Sequence, residues 1–126
     1  MDDLCYLLKD VNGAGVFRLN CSLESLHDSV RRAGFAIFDV DIESAHGRGE
    51  VLAELARAIK APDWFGHNWD ALADALGDLS WCDAAGYVLL LRGEHPGDEI
   101  LDDILEATVE FWRLHGKAFW VFLHHA

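Results

Sequence analysis

Between Lys60 and Arg92 the chain carries five aspartates, Asp63, Asp70, Asp74, Asp78 and Asp83, and no lysine or arginine. Trp64, Phe65, Trp69 and Trp81 are interleaved with them, and His67 is the one side chain there that could take up positive charge. Such a set could do three things. Carboxylates beside large aromatics supply charge and contact area, the make-up of a binding hot spot for a basic protein. That protein could be one whose activity is blocked, or one bound by a non-inhibitory acidic module. Alternatively, His67, Asp70 and Asp74 could converge on a divalent metal and make a hydrolase of phosphate or diphosphate esters. The third use is solubility alone, a solvated helix face.

Spacing weighs these readings. Asp70, Asp74 and Asp78 stand at i, i+4 and i+8, which places them on one face of a helix, with Trp69, Leu72 and Leu76 on another. Like charges at this spacing cost about 0.2–0.5 kcal/mol per pair. Asp70 in the first turn is favoured by the helix dipole, whereas Asp78 near the other end is opposed by it. Folding alone would do better with a lysine at one of these positions. The hydrolase reading suffers from the lack of a nearby cation to hold a phosphate. An acidic face kept for a basic partner explains more.

The whole chain agrees. Its 126 residues suit one domain with one sizeable core, and 52% hydrophobic with 25% charged residues is the balance of a folded globule. Ten Lys and Arg against 22 Asp and Glu, a net charge of -12, disfavour direct nucleic-acid binding, which relies on cations facing phosphates, and disfavour anionic membranes. Apolar runs such as Tyr87–Leu91 and Ala118–Leu123 are too short to cross a bilayer. Met1-Asp2-Asp3 has neither the basic start nor the apolar stretch of a signal peptide, and Cys5, Cys21 and Cys82 show no metal spacing. A cytoplasmic protein is expected.

The elements that must position the acids alternate in type. Leu4–Leu8 and Val16–Leu19 read as short strands around the turn Asn12-Gly13-Ala14-Gly15, a candidate hairpin. Asn20 or Ser22 can cap a helix that buries Leu23, Leu26 and Val30 and stops at Gly34. Phe35–Val40 is a strand, 42–49 a loop, and Val51, Leu52, Leu55 and Ile59 mark a helix that Pro62 ends. Asn68 caps the acidic helix, which buries Trp69, Leu72, Leu76 and Leu79. Tyr87–Leu91 is a strand. Asp98 opens a long helix with Leu101, Ile104, Leu105, Thr108 and Phe111 inward and Gly116 at its end, and Ala118–Leu123 is the last strand. Trp112, Trp120 and Phe122 have core spacing. Strands alternating with helices predict an α/β fold with a mainly parallel sheet.

The stretch Pro62 to Leu76, PDWFGHNWDALADAL, resembles the signature of the barstar family, intracellular inhibitors of barnase-type ribonucleases. Proline, acid, two aromatics, glycine, asparagine and Asp-Ala-Leu-x-Asp-x-Leu follow in the family's order. The resemblance implies a small parallel three-stranded core sheet flanked by helices over residues 34–126, with residues 1–33 an extension packed on the same domain. It implies a protein that is not an enzyme, needs no cofactor, is monomeric alone and binds one ribonuclease through the signature loop and helix. Trp64 takes the place of the inserting aromatic, Gly66 and Asn68 match the loop beneath it, Asp70 matches the first interface aspartate and Asp74 the dominant one. Ala73 stands where the founding member has tryptophan. Asp78-Leu79-Ser80-Trp81 replaces a Gly-Trp, so Trp81 is an approximate stand-in. A contacting glutamate of the last helix aligns near Arg113, with Glu110 one turn earlier. The expected binding set is therefore Trp64, Gly66, His67, Asn68, Asp70, Ala73, Asp74, Asp78 and Trp81.

Overall fold

Tyr87-Val-Leu-Leu-Leu is buried throughout, as is Phe119-Trp-Val-Phe, and only a strand covered on both faces accepts such runs. They are the two central strands of a four-stranded parallel sheet in a computed structural model describing residues 7–62, 68–94 and 97–124. In chain order the elements are β1 (Val16–Arg18), α1 (Leu23–Ala33), β2 (Ala36–Asp41), α2 (Gly47–Ala58), α3 (Trp69–Leu76), β3 (Tyr87–Arg92), α4 (Glu99–Leu114) and β4 (Phe119–His124). The sheet order is β1-β4-β3-β2, with Ala36 opposite Tyr87, Tyr87 opposite Phe119 and Val16 opposite Val121. The expected α/β fold is present.

Aromatic side chains key the helices to the sheet. On one face, Tyr87 packs between Trp112 of α4 and Phe119, ring centres 5.2 and 6.0 Å away. On the other, Trp120 stacks with Phe122 and meets Phe17, and its indole N–H donates to the Leu8 carbonyl at 2.8 Å. That last bond draws the N-terminal segment onto the sheet.

Caps fix the helix ends. The Ser22 hydroxyl accepts from the Ser25 N–H at 3.0 Å, and Gly34 takes the left-handed conformation (φ 77°) that ends α1, as the sequence predicts. Helix α2 differs from expectation: it starts at Gly47 rather than after the predicted loop, because the Glu50 carboxylate reaches back to the His46 N–H at 2.9 Å. It ends ahead of Pro62, with Lys60 in the left-handed region (φ 56°).

Two other expectations fail. The N-terminal hairpin does not form among the described residues: Leu7 and Leu8 are helical, and β1 pairs in parallel with β4. The turn residues allow a hairpin, but the free edge of β4 offers a partner in line with the sheet. Phe111 does not face inward; it is 38% exposed, and Trp112 beside it occupies the core. The two are neighbours in sequence, and one residue's rotation, about 100°, decides which ring is enclosed.

Candidate protein-binding surface

Helix α3 has eight residues, fewer than the dozen or so that an isolated helix needs. Packing therefore holds it. Leu72, Ala75 and Leu76 are fully buried, and two buried leucines contribute about 3–6 kcal/mol. The Asn68 side chain caps the first turn, accepting from the Ala71 N–H at 2.8 Å. At the far end, Trp112 of α4 donates its indole N–H to the Leu76 carbonyl at 2.8 Å. Burial outweighs the few tenths of a kcal/mol lost to repulsion between Asp70 and Asp74.

The helix stops sooner than the aspartate spacing suggests. Gly77 follows Leu76, and Leu79 adopts φ 50° so that its side chain reaches the core. Asp78 consequently lies in the turn after α3, not on its third turn, and the one-face argument holds for Asp70 and Asp74 only.

The resulting surface is acidic and open. Asn68, Asp70, Ala73, Asp74 and Asp78 are all exposed. Among the described residues, none of Asp70, Asp74 and Asp78 has a Lys, Arg or His within ion-pair distance. Asp83 differs, with the Lys117 ammonium 3.4 Å away. Arg48 lies 6.0 Å from the Trp69 ring, yet its guanidinium binds Asp98 at 2.7 Å instead of Asp70. At Asp98, partial burial opposes ionisation. The Arg48 hydrogen bond and the N–H groups of Ile100 and Leu101 outweigh it and hold the carboxyl below the usual carboxylate range.

Trp81 is half-buried and turns inward, its indole N–H donating to the Ile59 carbonyl at 2.9 Å. With Tyr87 donating to the Cys82 carbonyl, it pins the segment after α3 to the end of α2. Glu110 pairs with Arg113, whose guanidinium also donates to the Ala14 carbonyl at 2.7 Å; both residues thus serve α4 and its tie to the N-terminal segment. Trp64, Gly66 and His67 lie outside the described residues, and with them the loop half of the expected set and the histidine of the hydrolase reading. Among the described residues no three His, Cys, Asp or Glu side chains group so as to hold a metal ion. No described helix is long and apolar enough to cross a membrane.

One feature of this region escaped the sequence. A groove of about 330 Å³ opens between α3 and α4 directly beside Asp74. The signal for it was the small residues Ala73, Gly77 and Ala107, which leave room on both helices, together with Phe111, which the periodicity had assigned to the core.

Comparison with known proteins gives no match among curated proteins or solved structures. The family model described as Barstar (barnase inhibitor) matches residues 35–124, from the start of β2 to the end of β4 and including the whole acidic surface. The chain belongs to the barstar family.

Proposed function

We propose that this protein inhibits a barnase-type ribonuclease by seating the acidic face of α3 and the aromatic loop before it in the enzyme's active site, one molecule to one. The observation that carries this reading is that Asp70, Asp74 and Asp78 are exposed and, among the described residues, have no ion-pair partner, in a chain that provides cations to other acids. A ribonuclease cleft must present positive charge to RNA phosphates, and carboxylates held on a short rigid helix can occupy the same places. Trp112 holds the last turn of the helix and Trp81 the segment that follows it, so little order has to be gained there on binding. Membership in a family of barnase inhibitors supports the same conclusion. The protein then acts by occlusion rather than catalysis, and in the cell that must be protected from the enzyme.

The test is an RNase assay against a panel of barnase-type enzymes, with association rates measured from low to physiological salt. Stoichiometric inhibition of at least one enzyme, with association slowing steeply as salt rises, is expected. Failure to inhibit any of them would leave the surface to a non-inhibitory partner.

A further inference from the structure

Helix α4 carries two apolar stripes, and only one is fully enclosed by the fold. Leu101, Leu105, Thr108 and Trp112 face the core. Ile100, Ile104, Ala107, Phe111 and Leu114 follow a 4-3-4-3 spacing that lines up a second stripe along the helix. Ile100 is 43% exposed, Phe111 38% and Leu114 75%; Ala107 is exposed and Ile104 half-buried. These three are among the five large apolar side chains most exposed in the described residues, the others being Leu7 and Phe17. The middle of the stripe forms one wall of the groove whose opposite wall is Ala73, Asp74 and Gly77.

We infer that this groove and stripe are the apolar half of a composite recognition surface, taking a large apolar side chain that stands beside an arginine or lysine on a basic protein partner, with the cation meeting Asp74. The inference rests on the proposed function and gives its partner a second requirement. Volume and charge support it. A cavity of about 330 Å³ lies at the small end of what whole ligands occupy and suits one or two side chains. Contiguous exposed apolar surface at the edge of a charged patch marks a protein-interaction site.

The charge around the stripe also selects the occupant. Asp74 lies in the groove, and Asp103, Glu106 and Glu110 are exposed along the same helix. A second copy of this chain, at net charge -12, would bring like charges together over the stripe. A basic partner would meet the acids with cations while covering the apolar groups.

A 14-residue amphipathic helix of leucine and lysine, and its leucine–glutamate counterpart, are suitable probes. Each is titrated into the full isotope-labelled chain, with backbone amide shifts as the readout. The lysine peptide should shift amides of α4 and of residues 73–77, and the glutamate peptide should not. Ala107→Phe, which fills the groove without altering charge, and Leu114→Gln, at the most exposed position, should each weaken binding about tenfold or more. Phe17→Ser, at an exposed apolar residue elsewhere, should leave it unchanged. Shifts centred away from α4, or parent-like binding by Ala107→Phe and Leu114→Gln, would overturn the inference. So would a dimer of the chain alone that Leu114→Gln dissociates, seen by sedimentation equilibrium. Ribonuclease inhibition by the same variants separates the two readings. Inhibition lost in Asp74→Asn but kept in Ala107→Phe removes the groove and keeps the inhibitor. Peptide binding at α4 with no ribonuclease inhibited keeps the groove and removes the inhibitor.

Discussion

Acids are treated in two ways in this molecule. Around the outer end of β2, carboxylates are matched: Asp39 binds Arg92 at 2.5 Å with His27 3.7 Å away, and Asp28 holds Arg31 and Arg32 at 2.7 and 3.0 Å. The Asp39 hydrogen bond raises the Arg92 pKa further still, so the guanidinium stays charged. On α3 and the turn after it, Asp70, Asp74 and Asp78 have no such partners among the described residues. Both groups sit at the surface, so solvation alone does not separate them. With ten cations for 22 acids many carboxylates must go unmatched, and those of α3 are among them. The matched acids serve the fold; in the proposed function the unmatched ones on α3 are the groups that meet a partner.

The contrast can be broken most decisively at Asp74. Asp74→Ala is expected to lower affinity for an inhibited barnase-type ribonuclease by at least about 100-fold, because removing one member of an enclosed ion pair strands the other. Its urea midpoint should hold or rise slightly. Paired inhibition and unfolding measurements check this, and equal inhibition by parent and variant would strip Asp74 of its role. Asp39→Ala should do the reverse: inhibition unaltered, and stability lower by about 0.5–1 kcal/mol, the range of surface pairs extended by a neighbouring charge.

A pH series sharpens the matched side. The Asp98 carboxyl is held below its ordinary range, so its pair with Arg48 stabilises the fold above the unfolded-state value near 4 and loses that effect as pH falls through the lower folded value. Arg48→Ala should therefore be less stable than the parent at pH 7, with the gap closing in urea melts as pH falls below the ordinary carboxylate range. The smallest effect is expected at Asp78. Asp78→Lys relieves repulsion in the turn beyond α3 and should raise stability by a few tenths of a kcal/mol while slowing association with a basic partner at low salt.

How much of this the sequence disclosed depended on the range of the interaction. Local rules located most elements: Ser22, Asn68 and Asp98 all cap as their side chains predict, and Gly34 and Gly116 stop helices at positive φ. The acidic face was legible because it is made by residues four apart. What stayed hidden was long-range. Nothing near Val16 says that its partner is Val121 rather than a strand seven residues upstream. The outward turn of Phe111 depends on where Tyr87 and Leu76 stand around its neighbour Trp112, and the α3–α4 groove exists only once two helices distant in sequence are side by side.

The pairing of β1 with β4 joins the earliest described strand to the last. A ribosome adding about 5–20 residues per second would therefore hold β1 without its neighbour for several seconds, until Phe119–His124 emerges. During that interval Phe17 and the Leu8 carbonyl lack the indole that later covers them both. Sheet closure is thus a late, nonlocal event in the birth of this chain.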